Sequence, residues 1–345
     1  MSLTKVTYDM TTLNELLNIT GTVDSYNYCA NPSLNSITGG KANVIAGGGY
    51  GAFVNTITGA TDYRTISGGY DNVIDSAIAS TVTGGAHHRI NPPATHALIS
   101  GGSYGIISNG DYSCVVGGTD NQITSTGDGN VIIGGVNARL SEGNYNFLTG
   151  YQNTIVGGAV GGTAVFGYQN IDNSANYAFV SGRNNKAVKD YAEASGFQAI
   201  GRSSGGQTIA GGLNAIQGDC QSTVSHLKRV TTDAAVSYMT GPDNNQFSFV
   251  LPSNNFSINV IAEIIAVEPA TGTIASFTHR TTKKRIGGVN TDSASSIVVN
   301  YADAGAATWS VGSNLSTNNL RIAVLGEAAK TIYWSARVTV VEVSF

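Results

Sequence analysis

Apolar positions between residues 35 and 216 fall into a short recurring phrase. An apolar residue stands two places before a glycine, and a second follows about six places after it. The first position reads Ile37, Ile45, Ile66, Val82, Ile99, Val115, Ile132, Leu148, Val165, Val180, Ala194 and Ile209; the second reads Ile74, Ile90, Ile107, Ile123, Leu140 and Val188. Such a β-branched bias predicts inward-facing strand positions. The glycines are Gly39, Gly47, Gly68, Gly84, Gly101, Gly117, Gly134, Gly150, Gly167, Gly182, Gly196 and Gly211. From Gly68 onward the gaps are 16, 17, 16, 17, 16, 17, 15, 14 and 15 residues. Earlier gaps of 8 and 21 are irregular, so the first rungs are distorted or one anchor is spurious. This period is too short for helical-pair repeats and predicts the coils of a β-solenoid.

Between the two apolar positions lie Asn72, Asn121, Asn137, Asn153, Asn170, Asn185 and Asn214. Asparagine tolerates the left-handed conformation, so these residues are expected to make the corner between strands. Coils stacked about 4.8 Å apart would build a shaft on the order of 55 Å long. Each coil has room for few inward side chains. The residue just before the glycine is polar in Thr38, Ser67, Thr83 and Ser100 but apolar in Val116, Ile133 and Phe166. Adjacent strand residues face opposite ways, so these coils carry apolar residues on both faces. A second apolar face predicts self-association.

Composition narrows the function classes. Only 12% of residues are charged and the net charge is −4, which offers no basic field for nucleic acid. The 44 glycines against 6 prolines signify many tight turns. No run is long enough for a membrane span, and MSLTKVTYDMTTLNELL lacks the apolar core of a secretion signal. Cys29, Cys114 and Cys220 are odd in number and widely spaced, which speaks against a disulfide framework and for folding in a reducing cytoplasm. Cys114 stands where sister repeats have Val131 and Phe147 and is expected to be buried.

The phrases TAVFGYQNI, AFVSGRNNKAV and AEASGFQAIG resemble the head repeats of YadA-type trimeric autotransporter adhesins. The resemblance spans residues 43–216 and implies a left-handed parallel β-roll with three copies packed together. Adhesins of that family carry a signal peptide, stalk and membrane anchor, none of which is expected here. The start, SLTKVTYDM, resembles the opening of tailed-phage tailspikes and fibres, and the end, TIYWSARVTVVEVSF, the closing strand of a β-sandwich at fibre tips. From Phe247 the pattern shifts to longer alternating strands, such as Phe256, Ile258, Val260, Ala262 and Ile264, or Ile332, Trp334, Ala336, Val338 and Val340.

The expected protein is all-β: a homotrimeric left-handed parallel β-roll or β-solenoid shaft with a C-terminal antiparallel β-sandwich. Expected boundaries are a virion-docking segment at 1–34, a shaft at 35–220, a neck at 221–234 and a sandwich tip at 235–345. The resemblance implies a phage tail fibre or tailspike in the virion tail, made in the host cytoplasm and released by lysis. It would dock to a tail or baseplate protein through its N-terminus. It would adhere multivalently to host surface polysaccharide or lipopolysaccharide, with no nucleic acid and no membrane insertion. A polysaccharide-depolymerising tailspike and a bacterial surface adhesin are the alternatives.

Candidate chemistry concentrates in the tip. HRTTKKR supplies His279, Arg280, Lys283, Lys284 and Arg285, with Tyr301 and Trp309 nearby, a mixture suited to acidic glycan. A core position is the alternative reading of Trp309. Gly84, Gly101, Gly117, Gly134, Gly150, Gly167, Gly182, Gly196 and Gly211 are read as structural turn residues, because GxxxxGK[ST] is absent. His87, His88 and His96 lack cysteine or carboxylate partners at ligand spacing, so neither a metal nor a cofactor is expected. Acidic residues of the shaft are scattered, which leaves no catalytic pair to name. Tyr50, Tyr70, Tyr104, Tyr151, Tyr168 and Phe197 recur beside the turns, either stacking on sugars or stacking on one another.

Overall fold

A computed structural model describes residues 27–30, 34–157, 161–173, 175–212, 216–242, 249–251, 255–316 and 318–345. The expected docking segment, 1–34, and Asn214 lie almost wholly outside these residues. The fold is all-β, with a three-residue 3₁₀ turn at Ala304–Ala306 as its helical element among the described residues. The chain divides into two compact units, 1–168 and 169–345.

The first unit is a β-solenoid of parallel strands. Cys114–Val116 pairs with Leu98–Ser100 on one side and Val131–Ile133 on the other, and each inward residue stacks on its counterpart one coil away. Ile45, Ile66, Val82, Ile99, Val115, Ile132, Leu148 and Val165 form one buried column; Ile57, Ile74, Ile90, Ile107, Ile123, Leu140 and Ile155 form the facing one. Ile37 belongs to the second column, because Asn35–Thr38 pairs with Asn55–Thr58. Gly39 is therefore the spurious anchor.

Both corners of each coil follow one rule, and it differs from the expected role of asparagine. At the first corner the left-handed residue is Asp71, His87, Tyr104, Asp120, Asn137 or Gln152. The buried residue follows it: Asn72, His88, Gly105, Asn121, Ala138 or Asn153. Of the asparagines expected to turn the chain within this unit, only Asn137 is left-handed. The others form a ladder. Asn72 Nδ2 donates to Gly68 O and Gly85 O at 3.1 and 3.2 Å, while its Oδ1 accepts from His88 N at 3.1 Å. A buried amide thus satisfies backbone groups at corners where no strand partner is available.

The glycines hold for a related reason. Gly118 has φ +78°, and a Cβ there would stand 2.2 Å from Gly135 O of the next coil. Cys114 is a correction. Strand alternation points Val115 inward and leaves the Cys114 thiol half-exposed on the outer face, beside exposed Val116 and Ile133.

The second unit begins with coils of the same kind. Val180 and Ala194 are fully buried, as is Ala187, whereas Val188 is only half-buried and faces away. Register then corrects two positions. Ala194 pairs with Thr208 and Gly196 with Ala210, so Ile209 points outward and is 59% exposed. Gly211 sits one place beyond the turn column and, unlike the other eight structural glycines, lacks a positive φ.

Among the described residues nine strands follow: β1 Cys220–Thr231, β2 Val236–Tyr238, β3 Phe249–Val250, β4 Phe256–Glu268, β5 Thr273–Ile286, β6 Val289–Ala302, β7 Ser310–Ser316, β8 Asn319–Leu325 and β9 Ile332–Ser344. The expected neck is mostly strand β1, hydrogen-bonded along its whole length to β9. Its burial alternates with a period of two, but polar residues stand on both faces: Gln221, Thr223, Ser225 and Thr231 are buried and His226 and Lys228 exposed, so hydropathy alone does not show the strand. One antiparallel sheet runs β1–β9–β4–β5–β6. A smaller one has β8 flanked by β7 on one edge and by β2 and β3 on the other. Phe256, Ile258, Val260, Ile264, Phe277, Trp334 and Val338 of the large sheet share one apolar cluster with Val311, Leu320, Ile322 and Val324 of the small one.

Candidate functional site: an open cationic hollow at strand β1

The tip residues do not form one surface. Alternation along β5 buries His279 and Lys283 while Arg280 and Lys284 stay exposed. His279 Nε2 lies 2.9 Å from Ser313 Oγ, and Lys283 Nζ donates to Asp292 Oδ1 at 2.7 Å. Burial lowers the His279 pKa, helped by the nearby Lys283 charge. Trp309 is a core residue, its ring 6.0 Å from that of Trp334. Tyr301 is exposed and its hydroxyl donates to Asp303 Oδ1 at 2.7 Å, which raises the phenol and lowers the carboxyl. Arg280, Lys284 and Tyr301 remain accessible, on different parts of the sheet.

The three histidines do not converge either. His87 Nδ1 pairs with Asp71 Oδ2 at 2.6 Å and its ring stacks on Tyr104 at 4.6 Å. His88 is buried, with Gly105 N–H donating to its Nδ1 at 3.0 Å, and burial holds its pKa down. His96 turns the opposite corner and stacks on Tyr112. Among the described residues no group of three His, Cys, Asp or Glu is placed to hold a metal. The recurring aromatics contact one another: Tyr50 and Phe53 are tilted against Tyr70, Tyr70 meets His87 edge-on, and Tyr151 stacks on Tyr168 at 4.9 Å. Phe197 lies under Arg183.

A different place gathers unpaired charge. The free edge of β1 pairs with Gly206–Ala210 only through Gln221–Ser225. Beyond that point a single bridge, Lys228 to Thr240, holds the edge. Two hollows open there and share Lys228. One, of about 500 Å³, is lined by Lys228, Arg229, Val230, Thr240, Tyr333 and Trp334. The other, about 490 Å³, includes His226, Gly241, Pro242 and Ser335. His226 and Lys228 project outward from alternate positions of β1, and Tyr333 is 49% exposed on β9. No ion pair joins His226, Lys228 or Arg229 to a carboxylate among the described residues. Arg229 Nε is buried without a hydrogen-bond partner. Lys228 and Arg229 line the first hollow beside the exposed ring of Tyr333, and His226 and Lys228 line the second; unpaired cations around open hollows suit a sugar bearing an anionic group.

This hollow was not foreseen from the sequence, because it depends on pairing between residues a hundred positions apart, such as Lys228 with Ser335.

No protein-family model matches the chain, and no curated protein sequence matches it. Among solved structures, the Acinetobacter baumannii phage AM24 tailspike protein aligns at 9% identity and TM-score 0.21, over 93% of this chain and 69% of that one. The tailspike gp49 of A. baumannii bacteriophage Fri1, described as a capsular polysaccharide depolymerase, aligns at 8% identity and TM-score 0.22, over 90% and 64%. The Acinetobacter phage vB_ApiP_P1 tailspike aligns at 9% and 0.19, over 90% and 80%. At such scores no residue of this chain is matched to a residue of those proteins.

Proposed function

We propose that the protein is a phage tail fibre or tailspike that attaches to an acidic polysaccharide or lipopolysaccharide on the host surface. The observation that carries this reading is the hollow at β1 where Lys228 and Arg229 lack an internal counter-ion beside the exposed ring of Tyr333, next to a second hollow that Lys228 shares with His226. An anionic sugar residue supplies the missing charge, and Tyr333 supplies a stacking face. The outward apolar residues Val116 and Ile133 support assembly into a homotrimer, which triples the number of weak sites per fibre and converts them into avidity. Residues 1–34 would dock to the tail or baseplate, placing the protein in the virion tail.

The test is retention of the full chain on immobilised alginate and on bacterial lipopolysaccharide, wild type against Lys228→Glu. The reading expects retention that weakens with salt and drops about tenfold or more in the variant. Equal retention of both proteins would refute it. Oligosaccharide released into the supernatant would instead support a depolymerising tailspike.

A further inference from the structure

Strand β6, VNTDSASSIVVNYA, is an edge strand that its own chain leaves almost bare. It pairs with β5 along one side, and among the described residues no other strand pairs with it. In an antiparallel sheet one face ordinarily rests on a core. Here both faces are open, and every residue of β6 except Asn290 is exposed. Ile297 and Val299 stand opposite His279 and Phe277, on the side of the apolar cluster, while Val298 stands opposite Thr278 on the other side. Yet Ile297, Val298, Val299 and Tyr301 are 49%, 51%, 56% and 53% exposed. The small sheet stops one strand short, since its edge strand β7 reaches β5 through Ser313 and His279.

The two edges of this sheet are built differently. A long unpaired edge invites pairing with another chain, and proteins usually guard it with lysine, proline or a bulge. At the opposite edge β1 carries His226, Lys228 and Arg229, and Gly206–Ala210 covers part of it. β6 contains no proline, lysine or arginine. Its one charged residue, Asp292, is matched by buried Lys283 at 2.7 Å. Register shifts at Ser276/Phe277 and Thr282/Lys283 bracket a regular stretch from Ala294 to Val299, and that stretch ends in Ile297–Val298–Val299. Neutral, β-branched sequence of this kind favours strand pairing and dry contact. The strand leaves on the order of 1,000 Å² in water, comparable with the ~800 Å² that each partner gives a standard interface.

We infer that β6 is a subunit contact, where a second copy of this chain covers Ile297, Val298 and Val299. The area matches what a stable pair of copies needs, and the lack of net charge leaves nothing to hold a nucleic acid or an anionic glycan. The inference rests on the homotrimer of the proposed function for the number of copies, and on β6 for the place where they meet. Closed rotational symmetry gives each β6 one neighbour, so assembly ends at a finite ring and not in a filament. The cationic hollow lies at the other edge of the sheet, four strand spacings or about 19 Å away, so the two sites use different residues.

The test is hydrogen exchange of the full chain over residues 289–302, followed by mass spectrometry and read beside sedimentation velocity from micromolar to nanomolar concentration. Wild type is compared with Val298→Lys, which gives the strand the charge that guards other edges. The expected wild type is an oligomer whose β6 amides exchange at least about tenfold more slowly than those of the dissociated chain. Val298→Lys should raise the concentration at which the oligomer dissociates by about tenfold or more, and should lose the added protection. An oligomeric wild type whose β6 exchanges alike before and after dissociation would overturn the inference and leave the homotrimer standing. So would a Val298→Lys protein that matches wild type in both mass and exchange. A wild type that sediments as a monomer at every concentration would overturn both readings. The dilution series needs no variant, so a Val298→Lys chain that failed to fold would not shield the inference. Glycan retention is read separately with Lys228→Glu, which leaves β6 untouched.

Discussion

Replacing Asn72 tests whether the corner asparagines hold the coils together. Its side chain is fully buried and makes three hydrogen bonds of 3.1–3.2 Å to two other coil positions and its own turn. Asn72→Ala leaves the buried His88 N–H without an acceptor. Gly85 O loses less, because Tyr70 N also donates to it at 3.1 Å. One orphaned buried donor and two weakened acceptors sum to about 2–4 kcal/mol. Asn72→Asp separates the two halves of the amide. One carboxylate oxygen can still accept from His88 N, but the other faces Gly68 O and Gly85 O and needs a proton to donate. Its folded pKa is then raised above the unfolded value near 3.9, so the added penalty is absent below that pH and grows as pH rises. The assay is guanidinium unfolding followed by circular dichroism at pH 4 and pH 8, with hydrogen exchange read over residues 65–105. An Ala variant within about 0.5 kcal/mol of wild type, or an Asp variant no worse than Ala at pH 8, would refute the ladder.

Three further outcomes follow from buried or exposed groups. His88 stands in the same ladder, its Nδ1 accepting from Gly105 N–H at 3.0 Å, and burial lowers its pKa; its stabilising contribution is therefore present above about pH 6.5 and fades as pH falls. His88→Asn should stabilise the protein by about 1 kcal/mol at pH 7 and by more at pH 5; a loss at both would contradict this. Glu342 is buried against Arg202 at 2.8 Å, and desolvation raises its pKa despite that partner. Its contribution is full below about pH 4.3 and declines as pH rises through the raised value, so Glu342→Gln should gain on wild type between pH 4.5 and 7.5 in denaturant midpoint. A relative loss over that range would reverse the sign. Ile133→Asp places charge on the exposed apolar face beside Val116 and Cys114, and should shift sedimentation toward monomer at micromolar concentration; unchanged mass would show the face is not an interface.

The inward columns of the coils were readable because strand alternation and a fixed period act on every rung. Ile99, Val115 and Ile132 needed no other information. The corners were harder, since asparagine suits both a left-handed turn and a buried amide ladder. Only register separates Asn137 from Asn121. Gly211 misled for the opposite reason: Ala210 occupies the turn column, so the familiar residue marks the wrong position. In the tip, HRTTKKR looked like one cationic cluster, yet a strand sends His279 and Lys283 inward and Arg280 and Lys284 outward. The left-handed tyrosines at the other corner of the coils did leave a signal. Tyr63, Tyr112, Tyr145, Tyr177 and Tyr191 each stand three places before an inward residue, namely Ile66, Val115, Leu148, Val180 and Ala194. Alignment on the apolar column instead of the glycine exposes it.

The most direct measurement is quantitative binding of the full chain to lipopolysaccharide and alginate surfaces at two salt concentrations, beside Lys228→Glu and a Tyr333→Ala partner. The account predicts salt-sensitive binding that either substitution reduces by about tenfold, with the folded content unchanged. Binding that ignores both substitutions, or none at all to either anionic surface, would contradict it.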